Sequence, residues 1–200
     1  MAIGIHELRG AVRRVAVDLE NSADDLNAAD AALGDGDIGI TLLNAFRALA
    51  EGAGDLPDDM GAACLDMART VSKHSSSSFG TLLATALVAC GKSLKGRETF
   101  EDGEIAALMD TARDAILARG KASLGDKTVA DSLDAAARAA REASGSVGPA
   151  LADAADAEVE AFRDKPNNVG RARMYGERSV GMPDPGMMAF ARLARAAAGR

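Results

Sequence analysis

The chain has 200 residues and a formal net charge of −7, which disfavours nucleic-acid binding because that function normally needs clustered Lys and Arg. Its 44 alanines, with one Tyr, five Phe and no Trp, favour packed helices over a sheet-rich fold. No apolar run approaches the ~20 residues that span a bilayer, and the N-terminus lacks a signal-peptide apolar region. We therefore expect one all-α domain over residues 1–200, with no membrane segment.

Apolar periodicity predicts two helices before the first glycine-rich loop. The first covers 5–19, with its apolar residues on one face. Asn21 and Ser22 are residue types that cap helices, so they predict the start of a second helix. That helix ends at Leu33, because Gly34 is a helix-stop residue.

The remaining apolar stripes predict further helices, about eight in all. The segment 79–90 is almost wholly apolar, so we expect it to be central. Pro57 suits the first turn of the helix that precedes segment 79–90. Residues 144–149 and 164–186 are predicted to be connections. Short connections favour antiparallel neighbours in an up-and-down bundle. The expected segments are 40–51, one from near Pro57 through Val71, 79–90, 105–117, 129–143, 150–162 and a last helix that ends near Gly199.

Three aspartates form the strongest chemical signal. Asp30 falls on the last turn of a predicted helix, and Asp35 and Asp37 follow in a loop rich in glycine. Three neighbouring carboxylates repel one another, and a divalent cation removes that conflict. Oxygen ligands suit Mg²⁺ or Ca²⁺, and Mg²⁺ commonly bridges carboxylates to phosphates. The alternative is a solvated acidic loop; an EF-hand is excluded because Gly39 stands where Asp or Asn is needed.

Three other segments can carry chemistry. The serine run 75–78 precedes the apolar helix, and free amides and hydroxyls at a helix N-terminus bind anions. The alternative is a flexible turn that only caps the helix. The connections 120–128 and 170–186 are long and irregular, which is typical of functional loops but also of simple linkers. Arg171 can meet a phosphate or pair with an acidic neighbour.

Taken in order, these segments resemble the L-subunit family of dihydroxyacetone kinases. The resemblance spans nearly the whole chain and implies an eight-helix antiparallel barrel with a nucleotide at one rim. The matching positions are Asp30 with Gly34-Asp35-Gly36-Asp37-x-Gly39, Ser75 with Phe79-Gly80-Thr81, Arg119-Gly120-Lys121-Ala122 with Gly125-Asp126-Lys127-Thr128, Gly170-Arg171-Ala172, and Gly176-Glu177-Arg178-Ser179-x-Gly181-x-x-Asp184-Pro185-Gly186.

The resemblance also implies a site that binds ADP or ATP together with Mg²⁺, of which the family holds two ions. It implies no catalytic residue beyond the metal ligands. The implied metal ligands are Asp30, Asp35 and Asp37. The implied phosphate contacts are Ile38, Gly39, Ile40, Thr41, His74 and Ser75. The implied adenine and ribose contacts are Gly120, Val129, Arg171, Asp184, Pro185 and Gly186.

The chain departs from the family pattern at three positions near the implied phosphates. Ile38 stands where the family usually has His, Thr41 where it has Asn, and Ser76 where it has Gly. Ile38 retains a backbone N–H but has no side-chain donor. We hypothesise that His74 replaces the missing imidazole; the alternative is an exposed loop histidine.

The activity implied by the resemblance is transfer of a γ-phosphoryl group to dihydroxyacetone or a related hydroxyketone held on a separate K-type subunit. No K-like domain lies within these residues, so this chain alone is expected to phosphorylate nothing. Some family systems keep ADP bound and recharge it from a phosphotransferase-system protein, whereas others exchange ATP. The alternatives are a kinase subunit for erythrulose or another small sugar, and a non-catalytic regulatory module. The oligomeric state is open, with a homodimer among the alternatives.

Two cysteines, Cys64 and Cys90, lie in helix-like segments and show no metal-ligand spacing. Reduced core thiols in a cytoplasmic protein are the expected state. With only two histidines, the chain also lacks the residues for a histidine-based metal cage.

Overall fold

The computed structural model describes all 200 residues, which form eight α-helices and one small antiparallel sheet. The helices are α1 (Ile5–Leu33), α2 (Ile38–Glu51), α3 (Met60–His74), α4 (Ser78–Ser93), α5 (Ile105–Gly120), α6 (Val129–Glu142), α7 (Val147–Ala161) and α8 (Pro185–Ala197). The strands are β1 (Ala2–Gly4) and β2 (Thr99–Glu101), with Ile3 opposite Phe100. Short 3-10 segments cover 53–55 and 102–104, and two more, separated by a kink at Gly176, lie within 172–179.

The helices form a closed ring. Each helix packs against the helices before and after it in the chain, and α8 packs back on α1. Most connections are short, so neighbouring helices run antiparallel. The expected all-α, eight-helix up-and-down arrangement is confirmed. None of the helices combines the length and apolarity required for a bilayer span.

The core is built largely from small aliphatic side chains, which let helices approach closely. One buried apolar cluster joins every helix except α7. Helix α7 packs through a second cluster, in which Ala155, Val159 and Phe162 meet Met187 and Ala191 of α8. The start of α7 packs through a third cluster, in which Val147 meets Ala106 and Ala140, so α7 joins the barrel through smaller apolar clusters than the other helices.

The prediction of two helices before Gly34 is wrong, because α1 is continuous from Ile5 to Leu33. The amide of Asn21 donates to the carbonyl of Val17 at 3.1 Å, and the hydroxyl of Ser22 donates to that of Asp18 at 3.0 Å. Both side chains thus bond to the preceding turn instead of capping a new helix.

Other boundaries also differ from the expected ones. Pro57 lies outside α3, which begins at Met60 because Asp59 caps it by accepting the Ala62 N–H at 2.7 Å. Helix α7 begins at Val147 and includes Pro149 in its first turn, where a missing N–H costs little.

Helix α4 is part of the wall and not central, since it packs between α3 and α5 and most of its apolar residues are only half-buried. Helix α2 begins at Ile38, two residues earlier than expected. The short strand pair was not predicted.

Candidate functional site

A cavity of about 390 Å³ opens at one end of the ring. Its walls come from the C-terminal ends of α1 and α5 and the N-terminal ends of α2, α4, α6 and α8, together with residues 169–172. An antiparallel ring places these ends on the same side, so the topology itself collects the loops around one cavity. The three segments that the sequence singled out after the aspartates all contribute to it.

The three aspartates converge at one side of this cavity. Asp30, Asp35 and Asp37 each offer a carboxylate oxygen, and these oxygens lie within 4.8 Å of one another. Asp30 and Asp37 are half-buried, and Asp35 is exposed. A set of three carboxylate oxygens, open to solvent on one side, fits Mg²⁺, which retains several waters and bridges to phosphates.

The loop that presents these carboxylates is folded around Asp30. Its Oδ2 accepts the N–H groups of Asp37 at 3.0 Å and Ile38 at 3.3 Å, so it satisfies the start of α2. Gly34 leaves room for this carboxylate, since a Cβ there would overlap Asp30 Oδ1. The Asp37 side chain caps nothing. Asp30 therefore fixes the loop, whereas Asp37 is free to bind.

Arg171 reaches across the cavity mouth and forms an ion pair with Asp35. Both side chains are nearly half exposed, at 48% and 46%. Ion pairs of this exposure contribute little, so the guanidinium can give way to another cation at small cost.

The N-terminus of α4 lies in the cavity wall together with the aspartates. Ser77 caps the helix by accepting the Gly80 N–H at 3.1 Å, and its hydroxyl lies 3.1 Å from that of Ser75. The amides of Ser78 and Phe79 have no acceptor within the helix. Because a helix N-terminus carries partial positive charge, this wall is suited to phosphate oxygens.

Away from the three aspartates, one part of the cavity wall is apolar. Phe79, Ile116 and Val129 line it together with Pro185 and Gly186. A Cβ on Gly186 would stand 3.1 Å from Asp184 Oδ1, 3.6 Å from the Phe79 ring and 4.0 Å from Val129 Cβ, so a side chain here would fill this part of the cavity and press on Asp184. A slot of this composition suits a flat heterocycle such as a nucleobase.

Asp184 closes the apolar side and begins α8. Its carboxylate accepts the Met187 N–H at 2.9 Å and the Asn167 side-chain amide at 2.7 Å. Burial, partly offset by these hydrogen bonds, raises the pKa of Asp184 to about 6. This carboxyl group thus differs from the three exposed or half-buried aspartates at the other side.

The structure brings most of the predicted nucleotide contacts to the cavity wall. Those that line it are Ile38, Gly120, Val129, Arg171, Asp184, Pro185 and Gly186. Those that do not are Gly39, Ile40, Thr41, His74 and Ser75.

The five that do not line the cavity have other surroundings. A Cβ on Gly39 would overlap the Ala23 carbonyl, so this glycine serves the close packing of α1 and α2. Thr41 is buried, and its hydroxyl donates to the Asp37 carbonyl at 2.9 Å. Ser75 lies behind α4, with its hydroxyl in the space that a Gly80 side chain would fill. Ile40 is 43% exposed, and His74 is exposed at the end of α3.

Several wall residues were not named as contacts from the sequence. Ser77, Ser78 and Phe79 belong to the serine run and the helix start, so their pattern was visible. Arg119 also lines the cavity and forms no ion pair, and its position before Gly120 was the only signal for it.

Comparisons with known proteins give matches over most of the chain. The sequence profile of the DAK2 domain matches residues 32–199. A D-erythrulose kinase of Mycolicibacterium smegmatis is 32% identical over 194 residues, which cover 90% of this chain and 33% of that protein. The ADP-binding subunit DhaL of the PEP-dependent dihydroxyacetone kinase of Escherichia coli is 28% identical over 169 residues, with 80% of each chain covered.

A solved structure is similar over almost the whole length. The dihydroxyacetone kinase of C. freundii in complex with AMP-PNP and Mg²⁺ superposes with a TM-score of 0.75 and 27% identity. The match covers 96% of this chain and 33% of the other. The chain thus spans about a third of the length of the first relatives that it matches.

Proposed function

The chain belongs to the DAK2 domain family, and from this premise we propose that it is the Mg²⁺-nucleotide-binding unit of a dihydroxyacetone-type kinase. It binds ADP or ATP and delivers the γ-phosphoryl group to a small hydroxyketone. Two relatives support the nucleotide: one is named an ADP-binding subunit, and the other holds AMP-PNP and Mg²⁺.

The observation that carries the proposal is the pairing of two opposite electrostatic features in one cavity. Three carboxylate oxygens within 4.8 Å of one another share its wall with the N-terminus of α4. A bare phosphate would be repelled by the carboxylates, and a bare cation gains nothing from helix α4. Only a ligand that combines a cation with phosphates is complementary to both.

Each part of the cavity then has a role. Asp30, Asp35 and Asp37 hold Mg²⁺, which when bound neutralises charge on the phosphates. The amides of Ser78 and Phe79 orient phosphate oxygens. The apolar slot beside Gly186 takes the base. Arg119 is a cation in the wall with no internal partner, so we assign it to the nucleotide as well.

The cavity wall contains no Lys, His or Cys, and three of its four carboxylates are assigned to Mg²⁺. The fourth, Asp184, accepts hydrogen bonds from Met187 and Asn167 within the protein, so none is left to act as a general base on an acceptor hydroxyl. Phosphoryl transfer needs positioning and charge neutralisation from the nucleotide side, and the acceptor must be activated elsewhere. This supports a separate K-type subunit as the partner that binds and activates the acceptor. We expect dihydroxyacetone as the acceptor; erythrulose is the second candidate, because relatives at 32% identity are erythrulose kinases.

The test uses nucleotide-stripped protein and its melting temperature. A ligand that binds only the native state raises this temperature in proportion to its affinity. We expect ADP with Mg²⁺ to raise it by several degrees, and ADP with EDTA to leave it unchanged. No shift with Mg²⁺-ADP or Mg²⁺-ATP at millimolar concentration would contradict the proposal.

The role of His74 is tested separately. Because this side chain is exposed and outside the cavity wall, its replacement of the family imidazole requires that it swing inward. A His74→Ala variant with unchanged nucleotide affinity would remove the hypothesis and leave the proposed function intact.

A further inference from the structure

Lys127 is the one fully buried side chain in the molecule that carries a formal cationic group. It lies just before Thr128, the N-cap of α6, and its exposed fraction is 0%. Burial lowers the pKa of its ammonium group. A buried cation without compensation is costly, so the surroundings must supply oxygen atoms in its place.

The compensation comes from four backbone carbonyls and no carboxylate. Nζ donates to Lys165 O and Met182 O at 2.7 Å, to Ser179 O at 3.0 Å and to Arg163 O at 3.1 Å. An ammonium group has three N–H donors, so four acceptors saturate it. A cage of neutral carbonyl oxygens at these distances is also the surrounding that a monovalent metal cation takes in proteins.

These carbonyls belong to the two ends of one long connection. Two of them follow α7, at 163 and 165, and two precede α8, at 179 and 182. Between the ends, the connection carries Arg171 to the cavity mouth. One ammonium group therefore pins both ends of a segment that has few buried apolar residues of its own.

A second link runs from Lys127 to the cavity wall through Asn167, which is 3% exposed. Its side-chain amide donates to Lys127 O at 3.0 Å and to Asp184 Oδ2 at 2.7 Å. Its backbone N–H donates to Ser179 Oγ at 2.9 Å. The buried polar network thus connects the ammonium cage with the residue that starts α8 and precedes Gly186.

The backbone conformation of Lys127 also indicates that its side chain has a role in the cage. Lys127 has φ +61°, a left-handed conformation that costs free energy for a residue with a side chain. Glycine would adopt this conformation freely, so the retained side chain must serve the cage.

We propose that Lys127 is a positioning residue, a built-in monovalent cation that holds residues 163–184 so that Arg171 and the Asp184–Gly186 wall form the nucleoside half of the site. This inference rests on the proposed function, because it assigns a role within that nucleotide site. Lys127 itself touches neither the cavity nor the aspartates. Its removal should weaken nucleotide binding and leave metal binding by the carboxylates unchanged.

The experiment compares Lys127→Met with Lys92→Met, which replaces an exposed lysine at the far end of α4. Two ligands are titrated: Mg²⁺-ADP, and Mn²⁺ alone as a probe of the three carboxylates. We expect Lys127→Met to weaken Mg²⁺-ADP at least tenfold and Mn²⁺ less than twofold, with Lys92→Met unchanged for both. A merely structural loss would reduce the fraction of active sites for both ligands together.

Chemical rescue provides the second variant. Lys127→Ala removes the atoms of n-propylammonium, so this amine should restore Mg²⁺-ADP affinity to within threefold of wild type. n-Propanol, which has the same length but no charge, should not. If Lys127→Met fails to fold, refolding Lys127→Ala in n-propylammonium decides the question, and absence of restored binding overturns the proposal.

The outcomes separate the two claims. Wild-type protein that binds no Mg²⁺-ADP refutes the proposed function and this inference with it. Wild-type binding together with equal binding by Lys127→Met refutes only the role of Lys127. Equal weakening of Mn²⁺ and Mg²⁺-ADP also refutes it, because the effect would then not be confined to the nucleoside half.

Discussion

The two halves of the cavity are built in opposite ways. The acidic half, around Asp35 and Asp37, presents half-buried or exposed carboxylates and has no cation of its own; Arg171 reaches Asp35 from the nucleoside half and is easily exchanged. The nucleoside half, around Lys127 and Asn167, is buried and satisfies its own charge through backbone carbonyls. One half lacks a cation that a ligand must bring, and the other contains its cation permanently.

This difference separates binding from positioning. A site that binds a metal-phosphate must keep its carboxylates underneutralised until the ligand arrives. A wall that orients a nucleoside must instead be rigid, so its polar groups, apart from the buried Asn167 Oδ1, are satisfied within the protein. Substitutions in the acidic half should therefore change affinity with little loss of stability, whereas those in the nucleoside half should change both.

The largest effect is expected for Asp37→Asn. This change removes a metal ligand whose side chain caps nothing, so we expect Mg²⁺-ADP to bind at least a hundredfold more weakly, about 3 kcal/mol. Apo stability should be unchanged or slightly higher, because repulsion among the carboxylates falls. Isothermal titration and urea unfolding measure the two quantities. Asp55→Asn, an exposed acidic residue outside the cavity, is the control, and similar affinities for both variants would contradict the assignment.

Asp184 gives the nucleoside half a distinctive pH dependence. Its pKa is raised to about 6 from an ordinary value of 3.8, so between these pH values the native state binds a proton that the unfolded state does not. The free energy of unfolding therefore falls as pH rises from 4 to 6, and the ionised carboxylate costs about 3 kcal/mol above pH 6. Asp184→Asn should remove this slope while it retains an oxygen for the Met187 N–H. Urea unfolding of wild type and Asp184→Asn at several pH values between 4 and 7 measures this slope. The same pH dependence of the free energy of unfolding in both proteins would contradict a raised pKa for Asp184.

Gly186→Ala tests the width of the apolar slot. The added methyl group would stand 3.6 Å from the Phe79 ring, in space that we assign to the base, and 3.1 Å from Asp184 Oδ1. We expect Mg²⁺-ADP affinity to fall about tenfold, or about 1.4 kcal/mol, with Mn²⁺ binding unchanged. Gly54→Ala, which meets open space in a 3-10 turn, is the matched control. Unchanged ADP affinity in Gly186→Ala would place the base elsewhere.

The smallest effect is expected for Arg171→Ala. Its ion pair with Asp35 is nearly half exposed, so its loss should change apo stability by less than about 1 kcal/mol. Nucleotide affinity should fall a few-fold, since the side chain lies at the cavity mouth. Arg173→Ala removes a neighbouring exposed arginine that forms no ion pair, and it should have no effect. A large loss of stability in Arg171→Ala would mean that this pair is a structural tie.

The sequence predicted the up-and-down helical bundle and the acidic half because both depend on local patterns, whereas the closed barrel was implied only by the family resemblance. Apolar periodicity locates helices, and Asp35 and Asp37 sit in a short loop whose residues stay together in any fold. The boundary at Asn21 and Ser22 was mispredicted because the same side chains can cap a new helix or bond to the preceding turn. Only the packed structure decides between these uses.

The nucleoside half was less predictable because its contacts join residues far apart in the chain. Lys127 bonds to carbonyls 36 to 55 positions away, and long charged side chains are rarely fully buried. Gly39 was predicted as a phosphate contact, but its lack of a side chain serves helix packing against Ala23. A glycine in a loop motif can serve either the ligand or the fold, and the sequence does not distinguish them.

The central claim is that the carboxylates and helix α4 bind one metal-phosphate ligand together. A crystal structure of the protein with Mg²⁺ and AMP-PNP tests it most directly. We expect Mg²⁺ on Asp30, Asp35 and Asp37, phosphate oxygens at the amides of Ser78 and Phe79, and the base beside Gly186. Carboxylates that remain solvated without metal, or a nucleotide bound away from helix α4, would contradict the account.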